Sequence, residues 1–249
     1  MTLGSSAEWL AAFVPLGVVR EQKAWVPLGA GVLMIDPPIV WLVTARSTLQ
    51  RAGDQTLSAF VSEDQGGTVL DLVSGRRGTA FDWLEDQAAG LVACLFPVDR
   101  SWPIKAFPEA ACITDGLEPG APVYAVGVVY GQPLLGERPS PLVLPGILAR
   151  RDPEQLVTTA LLPPMNLGAP LLVPARGEGG SGAALAGIVT AVLTVPAEPG
   201  IPAASLRLSL ATPIAAALSL IRSEAGKAQR RLAIERSRPS PQEEEACSP

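Results

Sequence analysis

Apolar residues occur along most of the chain in short runs, and nearly every run is bounded by Gly, Pro or acidic residues. Such runs are typical of β-strands, and their regular spacing predicts a barrel or a sandwich. An α/β sheet would need helical patterns of about 10–15 residues between its strands. Almost none occurs between residues 25 and 195, so the chain is predicted to be all-β. The predicted strands are 30–35, 40–44, 56–61, 68–73, 91–96, 123–130, 142–149, 156–162, 170–173 and 185–193.

Apolar residues at helical spacing are found only near the two ends of the sequence. Residues 5–14 are one candidate helix. Thr212 and Pro213 predict the start of a second helix, with the threonine as its N-cap and the proline at its first position. This helix is predicted to cover at least residues 215–221. Residues 237–249 are polar and are predicted to be disordered because they have little to bury.

The composition is that of a folded protein rich in turns. Of the 249 residues, 48% are apolar and 17% are charged, which supplies enough apolar surface for a large core. The 24 glycines and 25 prolines exclude a helical bundle or a coiled coil. Nineteen basic residues against 24 acidic ones give a net charge of −5, and nucleic-acid phosphates require a basic surface. We therefore expect no nucleic-acid partner.

Histidine does not occur in the sequence. Its absence excludes catalysis by an imidazole base, including Ser-His-Asp and Cys-His mechanisms, and zinc sites that use histidine. We expect no metal and no cofactor. The three cysteines, Cys94, Cys112 and Cys247, lack CxxC spacing, which indicates free thiols in a reducing compartment. No signal-peptide pattern is found. Of the two long uncharged stretches, 156–175 contains four prolines and 179–197 is better explained by a turn and a buried strand, so the sequence predicts a cytoplasmic protein without a membrane span.

Four segments carry motifs in a recognisable order. They are GAGVL at 29–33 followed by VTARS at 43–47, LVACL at 91–95, GAPVYAVG at 120–127 with PGIL at 145–148, and NLGAPLL at 166–172 followed by AGIVT at 186–190. Together they resemble the strand and active-site motifs of trypsin-like serine proteases of the HtrA-like type. The resemblance covers about residues 13–221. It implies two antiparallel β-barrels packed side by side, a cleft between them, and a closing C-terminal helix.

The sequence departs from this family at the reactive positions. By the resemblance, the histidine position falls on Ser47, the aspartate position on Leu91 and the nucleophile position on Leu167. The glycine that begins the nucleophile loop is replaced by Met165. The family's mechanism needs a base that takes the serine proton and a carboxylate that orients this base. Neither Ser47 nor the two leucines can supply these groups.

A second alignment places Ser181 at the nucleophile position, within the segment GGSGAAL at 179–185. It leaves only a short stretch before Gly187, too short for the outgoing strand, the turn and the returning strand. The simpler interpretation is a surface turn over residues 176–182. Even a well-placed Ser181 would have no histidine to activate it.

The sequence therefore predicts an N-terminal barrel with a leading helix over residues 1–110 and a C-terminal barrel with a closing helix over 111–221. A helix extension and a disordered tail are predicted over 222–249. The predicted function is that of a pseudoprotease, which binds a protein or peptide or serves as a subunit of a larger assembly. A divergent serine peptidase that uses Ser181 or Ser47 is the alternative. The former cleft is either filled by apolar side chains or a docking pocket, and its candidate binding residues are Met165, Asn166, Leu167 and Gly168.

Overall fold

The protein is mainly β-structure in the computed structural model. The structure describes residues 10–20, 25–63, 66–72, 82–98, 104–129, 140–175, 182–195 and 206–236. Fourteen strands are found in these residues, in two sheets. None of the described helices is both long enough and apolar enough to cross a membrane.

The N-terminal sheet contains eight strands within the described residues, ordered β5-β4-β1-β2-β3-β7-β6, with β8 added in parallel to β2. A seven-residue helix, α1 (Arg46–Ala52), connects β3 to β4. The strands are β1 (Phe13–Val19), β2 (Trp25–Asp36), β3 (Ile39–Ala45), β4 (Leu57–Glu63), β5 (Gly66–Asp71), β6 (Leu84–Asp86), β7 (Leu91–Leu95) and β8 (Phe107–Pro108).

This first sheet does not close into a barrel in the part of the chain that the structure describes. Strands β5 and β6 form its two edges, and each pairs with one neighbour. Strand β6 has only three residues, so it has few backbone groups that could pair with a further strand. The expectation of two barrels is thus not confirmed for the N-terminal half.

The C-terminal sheet is a closed barrel of six antiparallel strands, in the order β10-β11-β14-β13-β12-β9, and β9 pairs with β10 to close it. This half of the expected fold is confirmed as a β-barrel. The strands are β9 (Pro122–Val129), β10 (Ser140–Arg151), β11 (Leu156–Thr158), β12 (Pro170–Pro174), β13 (Ala183–Val195) and β14 (Leu206–Pro213).

The C-terminal helical region consists of two helices, α2 (Ile214–Ile221) and α3 (Glu224–Arg236). The predicted cap at Thr212 is wrong, since β14 continues through Pro213 and no side chain caps α2. The Thr212 hydroxyl instead donates a 2.7 Å hydrogen bond to the carbonyl of Ala89. The Thr212 hydroxyl therefore forms a tertiary hydrogen bond rather than the helix cap that the local sequence predicts.

The predicted N-terminal helix is wrong in its last residues. Phe13 and Val14 belong to β1, where Phe13 pairs with Val32 of β2. Pairing with a neighbouring strand overrides local helical spacing, because it satisfies the backbone groups while burying the same apolar side chains. Residues 1–9, which hold most of the predicted helix, lie outside the described residues.

Alternate residues along the strands of the first sheet belong to two different hydrophobic clusters. Val32 and Val43 belong to a large cluster that also contains barrel residues such as Leu171, whereas Leu33 and Leu42 belong to a second cluster. Successive strand residues point to opposite faces, so both faces of β2 and β3 are buried. One face contributes to a core that is shared with the barrel, and this shared core brings the candidate site segments together.

Candidate functional site

The turn that carries Leu167 is attached to the first sheet through its own backbone. A 3-10 turn, Pro164–Asn166, precedes Leu167, which is extended and 6% exposed. The Leu167 carbonyl accepts a hydrogen bond from the Ala30 N–H at 2.8 Å and another from the Thr48 hydroxyl at 2.9 Å. Both lone pairs of this oxygen are therefore used by the N-terminal half of the chain.

Gly168 continues this attachment and requires a residue without a side chain. Its φ is +94°, a conformation that L side chains rarely adopt. A Cβ at this position would collide with the Ala30 carbonyl and the Thr44 hydroxyl, which are themselves hydrogen-bonded at 2.5 Å. The Gly168 N–H donates to the carbonyl of Val189 at 2.7 Å. The turn is thus held between β2 and β13.

Ser47 and Leu91 lie on neighbouring segments of the first sheet. Ser47 is the second residue of α1, and Leu91 is the first residue of β7. Leu91 pairs with Ala45, and the Arg46 N–H donates to the Gly90 carbonyl at 2.8 Å. Since Thr48 bonds to Leu167, the structure gathers the segments of all three expected triad positions around the end of β3 and the start of α1.

The chemistry available at this site is limited. The Ser47 oxygen is buried and has no hydrogen-bond partner among the described residues. A serine nucleophile needs a base within hydrogen-bonding distance, and the base needs an orienting acid. Leu91, fully buried, stands where a carboxylate would be expected. The adjacent ion pair, Arg46 Nε to Glu85 at 3.0 Å, is partly exposed and links the start of α1 to the edge strand β6.

The four candidate binding residues differ in accessibility. Asn166 is fully buried, and its amide forms two hydrogen bonds with the backbone of Val128. Its Oδ1 accepts from the N–H at 2.7 Å, and its Nδ2 donates to the carbonyl at 3.0 Å. Leu167 and Gly168 are buried as well, which leaves only Met165 half-buried. Three of the four candidate binding residues are therefore buried and offer no accessible side chain to a ligand.

Sequence reasoning missed the polar residues that hold the site together. Thr44 and Thr48 are fully buried. Thr44 donates to the Ala30 carbonyl on the neighbouring strand, Thr48 donates to the Leu167 carbonyl, and the Arg51 guanidinium donates to the Pro164 carbonyl at 2.7 Å. A threonine inside an otherwise apolar strand end is a weak signal for such a bond, because a buried hydroxyl needs an acceptor. The Arg51 contact leaves no signal in the sequence, since its partner is a backbone carbonyl.

Ser181, the nucleophile of the alternative alignment, lies outside the described residues. Within those residues, no group of three or more acidic or cysteine side chains is arranged to hold a metal ion. Cys94 and Cys112 are free thiols. Burial raises the pKa of Cys94 well above its usual range, and burial together with Glu109 raises the pKa of Cys112 to about 12. Neither thiol has the lowered pKa of a nucleophilic cysteine.

Comparison with known proteins did not assign the chain to a family: no protein-family model matches the sequence, and no curated protein matches it significantly.

Proposed function

We propose that the chain is a catalytically inactive, trypsin-like domain that binds a protein or peptide partner, or positions one in a larger assembly. The closed six-stranded antiparallel barrel is consistent with a trypsin-like fold. The order of motifs along the sequence supports the same relationship. The trypsin-like assignment, the loss of a triad and the binding role are all parts of this proposal.

The observation that carries the proposal is the state of Leu167. The turn at the expected nucleophile position is fixed by hydrogen bonds from Ala30 and Thr48, yet it carries an isobutyl group packed into the shared core. A protease would expose a hydroxyl here, beside a base and oriented N–H groups that bind an oxyanion. A turn that is held in place but carries no reactive group supports the proposal of a non-catalytic domain.

The absence of activity is tested with purified protein and a fluorophosphonate probe, alongside hydrolysis of casein and an unfolded protein substrate. We expect neither labelling nor hydrolysis above the buffer blank, whereas trypsin at the same concentration gives both. The variants Ser47→Ala and Ser181→Ala are the matched controls for the alternative. Labelling that disappears in either variant would establish a serine peptidase and contradict the proposal.

The binding role is tested by purifying the tagged chain from its native source at two ionic strengths, followed by cross-linking and mass spectrometry. A partner that is retained at fixed stoichiometry, and that binds again when both proteins are purified separately, supports the proposal. A chain that remains alone at native concentration, with no partner bound again after reconstitution, argues against it. We also propose a cytoplasmic location, since Cys94 and Cys112 are free thiols.

A further inference from the structure

The two C-terminal helices are attached to the rest of the molecule in different ways. Helix α2 contributes four buried apolar side chains to the shared core, those of Ile214, Ala217, Leu220 and Ile221. Of the 13 residues of α3, only Gly226 and Ala233 are buried. Burial of apolar surface is the main favourable term in folding. Helix α2 is therefore anchored in the core, whereas α3 has little apolar burial of its own.

Polar contacts from one turn of α3 hold it against the N-terminal sheet. The Arg230 guanidinium donates to the Pro37 carbonyl in the β2–β3 turn at 2.7 Å, and its Nε lies 2.9 Å from the Asp36 carboxylate. Gln229 donates to the Asp82 carbonyl at 2.6 Å. The side chains of Arg230 and Asp36 are 37% and 44% exposed. An ion pair this exposed contributes little stability, and salt screens it.

Helix α3 has its own features for beginning and ending a helix. The Ser223 hydroxyl accepts a hydrogen bond from the Gly226 N–H at 3.2 Å, as an N-cap side chain does. Glu224 in the first turn and Arg236 in the last turn complement the helix dipole. Lys227 Nζ lies 2.7 Å from Glu224. None of these contacts involves the N-terminal sheet, but a helix of 13 residues is only marginally stable alone in water.

The junction between the two helices fixes where α3 can separate. Residues 222–223 lie between α2 and α3. A Cβ at Gly226 would collide with the Ile221 carbonyl, so the first turn of α3 packs closely on the end of α2. The contacts with the N-terminal sheet come from Gln229 and Arg230, about one turn further along. Separation from the sheet therefore concerns the residues that follow this first turn.

We propose that residues 228–236 form a releasable arm, which leaves the N-terminal sheet and returns to it as a unit while α2 stays in the core. Salt concentration shifts the balance through the pair of Arg230 and Asp36. Proteins open locally in such units at free energies well below that of global unfolding. Release separates the two charges, so each becomes available to other charged groups in the released state alone. The proposal is independent of the proposed function, because it needs neither a triad nor a partner.

The test is hydrogen–deuterium exchange of the full chain at pH 7, followed by mass spectrometry. Relative to unstructured peptides, the amides of residues 228–236 should exchange at least about 10-fold faster than those of residues 218–221 in α2. Raising NaCl from about 20 mM to about 500 mM should accelerate exchange in the arm by roughly 1.5- to 5-fold, the range that one exposed ion pair provides. Residues 218–221 should not respond.

Three variants assign the effect to Arg230. Arg230→Ala removes the ion pair and the bond to Pro37, so exchange in the arm should rise at least about 5-fold and lose most of its salt response. Arg231→Ala is the matched control, because Arg231 is an exposed residue of the same helix and the change in helix propensity is the same. It should retain the wild-type salt response. Asp36→Asn keeps an acceptor oxygen but should remove the salt response.

The proposal is overturned if residues 228–236 exchange as slowly as residues 218–221, since α3 would then open only with the whole fold. It is also overturned if salt leaves exchange in the arm unchanged, or if Arg230→Ala and Arg231→Ala have the same effect. The two salt concentrations applied to the wild-type protein decide the matter even if a variant does not fold.

Discussion

The carbonyl oxygen of Leu167 accepts a hydrogen bond from the backbone N–H of Ala30 at 2.8 Å, across 137 residues of sequence. This bond joins the turn before β12 to strand β2 of the other sheet. Thr48 adds a second bond to the same oxygen. These two bonds fix the position of the Leu167 backbone, so the Leu167 side chain is either presented to a cleft or packed into the core. Here the side chain is packed.

The first prediction concerns the close approach at Gly168. Gly168→Ala should lower the free energy of unfolding by about 1–3 kcal/mol more than Gly120→Ala, because its Cβ meets rigid backbone. Gly120 is the matched control: its φ is +90°, yet a Cβ there meets nothing within 4 Å. Urea unfolding of the two variants measures the difference. Equal losses would show that the turn can move away from β2.

The second prediction concerns Asn166 and Val128. Asn166→Asp replaces the amide donor with a carboxylate that faces the Val128 carbonyl, so at pH 7 the variant should lose about 3 kcal/mol of stability. Burial raises the folded-state pKa of such an aspartate, so protonation favours the folded state. The loss should therefore shrink as the pH falls toward about 4, the ordinary aspartate pKa.

Asn166→Leu is the control for this pH dependence. It also breaks both hydrogen bonds to Val128 but introduces no titrating group. Its loss of stability, measured by urea unfolding between pH 4 and pH 8, should follow the wild-type curve in parallel. A parallel curve for Asn166→Asp as well would show that the side chain at position 166 is not buried against the Val128 carbonyl.

The third prediction concerns restoration of a triad. The triple variant Ser47→His, Leu91→Asp, Leu167→Ser should show no casein hydrolysis above the blank. Leu91 is fully buried and Leu167 nearly so, and a carboxylate in place of Leu91 would cost roughly 3–5 kcal/mol if it remained unpaired. The double variant that retains Leu167 is the control. Turnover by the triple variant that a fluorophosphonate blocks would show that the site keeps a productive geometry.

The fourth prediction concerns the C-terminal helix α3. Arg230 donates to the Pro37 carbonyl at 2.7 Å, Gln229 donates to the Asp82 carbonyl at 2.6 Å, and Ala233 is buried. Truncation after Ser223 removes these contacts and should lower the Tm by about 5 °C or more, since 1 kcal/mol corresponds to about 2–4 °C at this size. Truncation after Arg238 should leave the Tm within about 2 °C, and a larger decrease would show that the residues beyond it also contribute.

The fifth prediction concerns the thiols Cys94 and Cys112, in a Cys247→Ser background. Burial holds the pKa of both far above 9, so iodoacetamide at pH 8 should modify neither in the folded protein and both in urea. A raised folded-state pKa also means that the thiols stabilise the fold below pH 9 and lose this contribution above it. Rapid labelling of the folded protein, measured by mass spectrometry, would show that one of them is accessible.

The effect on stability is checked by urea unfolding at pH 8 and pH 10.5. The wild-type protein should lose more stability between these pH values than Cys94→Ala, which has one fewer thiol with a raised pKa. An equal decrease would indicate that groups other than Cys94 cause the alkaline loss.

The sequence by itself determined the class of structure and the chemistry that is excluded. Alternating short apolar runs predicted strands near 30–35, 40–44 and 91–96, and each of these falls in β2, β3 or β7. The absence of histidine by itself excluded an imidazole base. Local patterns suffice for these points, because strand periodicity and residue chemistry do not depend on distant partners.

Only the tertiary structure decided where polar groups find partners and whether a sheet closes. Thr212 was predicted to be a helix cap but donates to Ala89 in the turn between β6 and β7. Asn166 was predicted to be a binding residue but bonds the backbone of Val128 on β9. These partners are separated by 123 and 38 residues, and a polar side chain bonds whichever acceptor the packed core places beside it. Closure likewise depends on whether the two edge strands meet, which the barrel achieves through β9 and β10 and the first sheet does not within the described residues.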